Sequence, residues 1–305
     1  MRSVKSVIVV GTQSLVLLVS FSMPGVAQEE DSGMTIGAWS SAYQMTEAAG
    51  EFLSTLSSAQ REAVSYAFSR ENRTNWSNTP RFVHQRPGLW LDELNETQRQ
   101  AAHRLMRASL SSQGYQKLSG IMRLDRIHGD RELARLERYG PEEGARPYYQ
   151  EEAESFGSGS YAIAVFGTPT ADGDWGWLVQ GHHMGANFTV SDGQTGFTPL
   201  FLGATPLVLE SGIHAGWSAL SHEVTRGFEL MAALDSEQQA KAIVVGDVPN
   251  DVLTGVGHVL DSSGAVGLSA AEMTSGQRRL LRVLVEEYVR NSDFDAAEAQ
   301  LAAIA

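Results

Sequence analysis

An α+β fold, with a central antiparallel sheet over about residues 160–210 packed between amino- and carboxy-terminal helices, is predicted by three observations. Apolar residues recur at helical spacing before about residue 140, strand-like alternation takes over from Ser160, and helical spacing returns from about Trp217. Each element follows from the residues in turn.

The chain opens with Arg2 and Lys5, an apolar run over 7–19, and the small residues Gly25-Val26-Ala27 ahead of Gln28-Glu29-Glu30-Asp31. That order predicts a secretory signal peptide over 1–27. Its apolar run is shorter than the roughly 20 residues a membrane span requires. The expected location is therefore secreted or periplasmic, with no membrane span after cleavage, and 28–305 is expected to form a single domain.

Four places share a helix-start pattern: Ser57 with Gln60, Asn95 with Gln98, Asp235 with Gln238, and Thr274 with Gln277. In such a capping box the two side chains satisfy each other's free backbone donors. The intervals between the four are irregular, so the pattern reads as a reused start signal and not a solenoid. After Gln60, Ala63, Val64, Ala67 and Phe68 form a helical stripe; after Gln98, Ala101, Ala102, Leu105 and Met106 do the same. Between them 72–91, with Pro80, Pro87 and Gly88, reads as an ordered loop. A further helix is expected over about 130–139, stopped by Gly140-Pro141.

Residues 161–166 are β-prone, Asp172-Gly173-Asp174 signals a turn, and 175–190 reads as one long extended segment. Asp192-Gly193 predicts a hairpin, followed by strands over 197–201 and 206–209. Leu220, Val224, Phe228 and Met231 then resume helical spacing, ahead of the helices begun by Asp235 and Thr274.

Composition excludes several classes. A net charge of −13 disfavours nucleic acid, whose binding rests on Lys and Arg. No cysteine is present, which removes thiolate nucleophiles, iron–sulfur clusters, Cys-type zinc sites and disulfides. The 42% hydrophobic content must therefore supply the core alone. No Gly-x-Ser-x-Gly elbow, Walker A loop or dinucleotide fingerprint occurs.

The chemical candidates gather around His182-His183. If 175–190 stays extended, Trp175, Trp177, Val179, His183, Asn187 and Thr189 share one face, and His182, Met184, Ala186, Phe188 and Val190 the other. His182 then reads as a core histidine satisfied by a hydrogen bond, and His183 and Asn187 as the catalytic candidates. They stand about 13 Å apart on a regular strand, unless Gly181 and Gly185 permit a bend.

For a divalent transition metal, His183 would be joined by His214, His222 and Glu223. His222-Glu223 opens like the zinc-protease helix motif, but Arg226 stands where the second histidine belongs. His214 and His258 lie in glycine-rich stretches. Arg123, with Asp125, Arg126 and His128, forms a charged cluster able to clamp an anion or sugar, or to form a solvated ion-pair network. Trp175 and Trp177 read as a stacking platform for a small polar ligand, or as core. Two functions stay open: a metal-binding protein or metal-assisted hydrolase centred on His183, and a non-catalytic binder of a glycan or other small polar ligand through Trp175, Trp177 and Arg123.

An ordered chain of motifs carries a family resemblance. It comprises Phe166-Gly167-Thr168-Pro169, Trp175-Gly176-Trp177, Gly181-His182-His183, Asn187-Phe188-Thr189-Val190, Thr198-Pro199, Phe201-Leu202-Gly203-Ala204 and Pro206. It continues through Pro249-Asn250-Asp251, Gly267-Leu268, Met273-Thr274, Gln277-Arg278 and Leu280-Leu281. The chain resembles the bacterial DUF3500 family, which brings no established activity with it. Members of that family continue into a further segment with another histidine motif, so the resemblance implies that this sequence, stopping at Ile304-Ala305, is either a fragment or a member without the groups that segment supplies.

Overall fold

The computed structural model describes residues 40–140, 146–244 and 267–304. The expected signal peptide and His258 lie outside the described residues. The amino-terminal part supplies helices α1 (Ser41–Thr55), α2 (Ser58–Val64) and α3 (Arg70–Thr74), two short strands, β1 (Ser65–Tyr66) and β2 (Leu89–Trp90), then α4 (Glu96–Ser109), α5 (Ser112–Tyr139) and α6 (Arg146–Glu154). The sheet strands β3 (Tyr161–Phe166), β4 (Trp175–Gly181), β5 (Met184–Ser191), β6 (Gln194–Gly196) and β7 (Leu200–Leu202) follow. Helices α7 (Ser221–Ala233), α8 (Ser236–Ala242), α9 (Ser275–Val289) and α10 (Phe294–Ile304) complete the α+β architecture.

The sheet runs β1-β3-β4-β5-β6, with β2 also on β3 and β7 also on β5. It is mixed, because β1 pairs parallel with β3 while the other pairings are antiparallel. The stripe expected to continue through Phe68 as helix breaks at Val64: Ser65 and Tyr66 go to the sheet edge, where tertiary pairing outweighs helical periodicity. The helix expected over 130–139 is the last part of the 28-residue α5. Asp192-Gly193 makes its hairpin with both residues at positive φ, 48° and 71°, and Ser191 opposite Gln194. No strand forms at 206–209, where Leu207 and Val208 stay exposed.

Residues 175–190 are not one strand. They fold back through a two-residue turn at His182-His183, so Gly181 pairs with Met184, Val179 with Ala186 and Trp177 with Phe188. Two residues consumed in a turn reset the alternation, and Trp175, Trp177 and Val179 share their face with Met184, Ala186, Phe188 and Val190. That face forms the main core with α1, α4, α5 and α10; the opposite face buries Ala164, Phe166 and Leu178 under Tyr66 and Phe68.

All four predicted capping boxes are present. Their irregular intervals hide a duplication. Gln60 and Gln98 exchange amide hydrogen bonds at 2.9 and 3.3 Å, and Gln238 and Gln277 do so at 2.7 and 3.1 Å. Gln98 also donates to the carbonyl of Thr55 at the end of α1, as Gln277 does to that of Ala233 at the end of α7. A 3₁₀ turn precedes each second helix, at Leu91–Glu93 and Ala270–Glu272. Gly88 and Gly267 stand just ahead of these turns at φ 102° and 101°. The chain thus contains two helical modules, α1–α2–α4 and α7–α8–α9, each closed by the same glutamine clasp.

Candidate functional site

The turn at the end of the β4–β5 hairpin brings three imidazoles together. His182 and His183 have ring centroids 3.9 Å apart, and His128, from α5, stacks on His182 at 6.3 Å. Phe156 lies against both His128 and His182, at 4.7 and 4.8 Å. Asp125 and His128 are three residues apart and so project from the same side of α5. Asp125 is 3% exposed and His182 8% exposed, and Asp125 Oδ1 lies 2.6 Å from His182 Nδ1. The other carboxylate oxygen accepts the Gly157 amide at 2.9 Å.

A buried carboxylate accepting from Nδ1 fixes the imidazole tautomer and leaves Nε2 with its lone pair. His182 Nε2 has no hydrogen-bond partner among the described residues. The Tyr161 hydroxyl donates to the His182 carbonyl at 3.1 Å; burial, with Asp125 nearby, holds that phenol well above its ordinary pKa, so it stays protonated.

His183 is held at three points. Its amide donates to the Asn78 carbonyl and its carbonyl accepts the Gly203 amide, both at 2.8 Å, and Nε2 lies 2.7 Å from Thr205 Oγ1. It adopts φ 58°, a left-handed conformation uncommon outside glycine. Burial, then the neighbouring His182 and His128, push its pKa down to about 4, so it is neutral near pH 7. Asn78 belongs to a loop fixed by Arg86, whose guanidinium donates to the carbonyls of Ser77 and Thr79. Burial lowers that guanidinium to about 10, which leaves it cationic. Glycine flanks the turn because rings cover it: a Cβ at position 181 would fall 2.4 Å from the Tyr161 ring and one at 185 would fall 2.5 Å from Trp76.

The other expected site residues fall elsewhere. Asn187 Nδ2 donates to the Pro199 carbonyl at 3.0 Å on the opposite side of the sheet from the main core, tying down the chain before β7 and not joining His183. Trp175 and Trp177 are both 0% exposed, so the stacking platform is overturned: they are core, with Trp177 stacked on Phe188 at 4.7 Å. Arg123 leaves the α5 face of Asp125; its Nη2 lies 2.5 Å from His214 Nε2 and its guanidinium stands over Trp217. Because Arg only donates, His214 Nε2 is occupied as an acceptor. Glu223 is buried with Lys117 Nζ 2.7 Å away, and Glu287 takes the same ammonium at 2.6 Å. His222 is 68% exposed by side chain, 3.7 Å from Glu287.

The expected metal donors His183, His214, His222 and Glu223 therefore do not form one centre. Among the described residues no group of three or more His, Asp or Glu is arranged to hold a metal ion. The buried partner that sequence reasoning missed is Asp125, 57 residues from His182. Its only signal was the spacing of Asp125 and His128 within a charged run.

Fold and site define a class: an α+β protein with a buried carboxylate–imidazole pair at a hairpin tip. The family model described as "Protein of unknown function (DUF3500)" matches residues 39–305, and the chain belongs to that family. No curated protein and no solved structure matches it. No helix among the described residues is long and apolar enough to cross a membrane.

Proposed function

We propose that Asp125, His182, His128 and His183 form a general acid–base site acting on a small polar substrate, in a protein exported through the leader at 1–27. The observation that carries the reading is the 2.6 Å contact between Asp125 Oδ1 and His182 Nδ1. Asp125 orients the ring, so His182 Nε2 faces the proton of water or of a substrate hydroxyl and takes it. His183 is neutral and holds Thr205, and His128 closes the other side of the ring. Hydrolysis of a small ester or amide is the reaction class this arrangement suits, and it needs no metal ligand from His214, His222 or Glu223.

The test is turnover of a panel of small esters and amides by purified protein, with His182→Gln and Asp125→Asn beside it. Asp125→Asn is expected to lower turnover by several orders of magnitude, on the scale of about 10⁴ seen when an orienting aspartate is lost. The ¹⁵N shifts of His182 should report the Nδ1–H tautomer in the unsubstituted chain alone. Equal rates in all three proteins, or an Nε2–H tautomer for His182, would overturn the proposal.

A further inference from the structure

A second polar site lies along α4, lined by none of the hairpin histidines. Arg99, His103 and Arg107 follow one another at four-residue spacing, which places them along one side of the helix. With Arg104 they line an open groove of about 430 Å³ in a chain whose net charge is −13. Concentration of arginine against the sign of the whole molecule marks a local field built for a negative partner.

The groove is organised by one residue of α5. The Tyr115 hydroxyl lies 3.1 Å from His103 Nδ1, which leaves Nε2 of that ring unengaged, and the Tyr115 ring lies 4.2 Å beneath the Arg107 guanidinium. Among the described residues Arg107 has no carboxylate partner. Arg99 donates to the Leu94 carbonyl at 2.9 Å; its Nε is closed off from solvent with no hydrogen bond, and the nearest carboxylate, Glu96, stands 3.8 Å away. Arg104 pairs with Glu51 of α1 at 3.1 Å. Three guanidinium groups against these two carboxylates leave a surplus of positive charge, with planar donors suited to bidentate capture of phosphate oxygens.

The geometry points to a binding site for a phosphomonoester or another small dianion, held by Arg107 and Arg99 with His103 as its protonatable floor. His103 titrates low when the groove is empty, because burial and then Arg107 and Arg99 oppose a further positive charge, with Glu96 acting the other way. A dianion in the groove reverses that balance, so binding takes up a proton at His103.

The experiment is calorimetric titration of the full chain with sulfate, inorganic phosphate and phenyl phosphate at fixed ionic strength. Sulfate is the probe for pH, since it stays dianionic across the range. Saturable binding is expected, strengthening as pH falls from about 7.5 to about 5.5. Arg107→Gln should weaken it about tenfold, the scale of one charge-assisted hydrogen bond. His103→Gln should keep binding but lose its pH dependence, with circular dichroism confirming the fold of both variants. Absence of saturable binding by any of the three anions, or unchanged sulfate affinity in Arg107→Gln, would overturn the proposal.

Discussion

The two clasped helical modules share their polar chemistry and differ in what lies beneath them. In α1–α2–α4 the four residues following the clasp, Ala101, Ala102, Leu105 and Met106, are all 0% exposed. Their counterparts on α9 by clasp position, Leu280, Leu281, Leu284 and Val285, are only half-buried. The first module closes over the sheet, where Trp177 stacks on Phe188 and donates to Ser109 of α4 at 3.2 Å. The second is fastened to α5 by Lys117, which reaches Glu223 of α7 and Glu287 of α9. The difference teaches that the glutamine clasp sets the geometry of a helix pair, while stability comes from whatever covers its apolar face.

The largest expected effects separate these two means of attachment. Trp177→Ala removes a fully buried aromatic and should cost about 3–5 kcal/mol of global stability, read from urea unfolding. Lys117→Ala leaves the buried Glu223 and the largely covered Glu287 without their shared ammonium and should cost about 3–5 kcal/mol as well. Hydrogen exchange distinguishes them: Trp177→Ala should raise exchange throughout α1, α4 and the sheet, and Lys117→Ala in α7 and α9 first. Equal spread in both variants would erase the contrast.

An acid titration comes next in size. The pKa of His183 falls from the ordinary 6.5 to about 4 on folding, so between those values the unfolded chain binds more protons than the folded one. Stability is therefore complete above about pH 6.5, falls by about 3 kcal/mol as pH drops toward 4, and levels below it. His183→Asn should flatten that part of the profile and leave the second module unaffected. A profile unchanged by the substitution would mean another group carries the acid sensitivity.

The smallest effects test the clasps themselves. Gln98→Ala unpairs the Asn95 amide, the Thr55 carbonyl and Gln60 under a buried face, and should cost about 2–3 kcal/mol. Gln277→Ala removes the matching bonds beside an apolar stripe that is only half-buried, and should cost about 1 kcal/mol. Equal losses would show that the two modules are covered alike.

The capping boxes were legible in the sequence because a cap and its glutamine are three residues apart, and so was the Asp192-Gly193 hairpin, whose turn residues name themselves. Their pairing was not, since Gln60 meets Gln98, and Gln238 meets Gln277, only after the helices dock. The His182-His183 turn was hidden for a different reason. Neither residue is a usual turn former, so alternation ran through it and assigned Trp175 and Trp177 to the wrong partners. Burial of both indoles followed from that reset parity. The carboxylate that orients His182 sits on α5, beyond the reach of local spacing, and Arg123, expected in a ligand site, pairs with His214, expected in a metal site.

The left-handed backbone at His183 has a consequence for substitution at that position. An ordinary side chain held there costs about 1 kcal/mol relative to glycine, and asparagine tolerates the conformation more readily than most. Replacing His183 by asparagine or glycine keeps the bend and removes the imidazole, and so separates a requirement for the ring from a requirement for the turn.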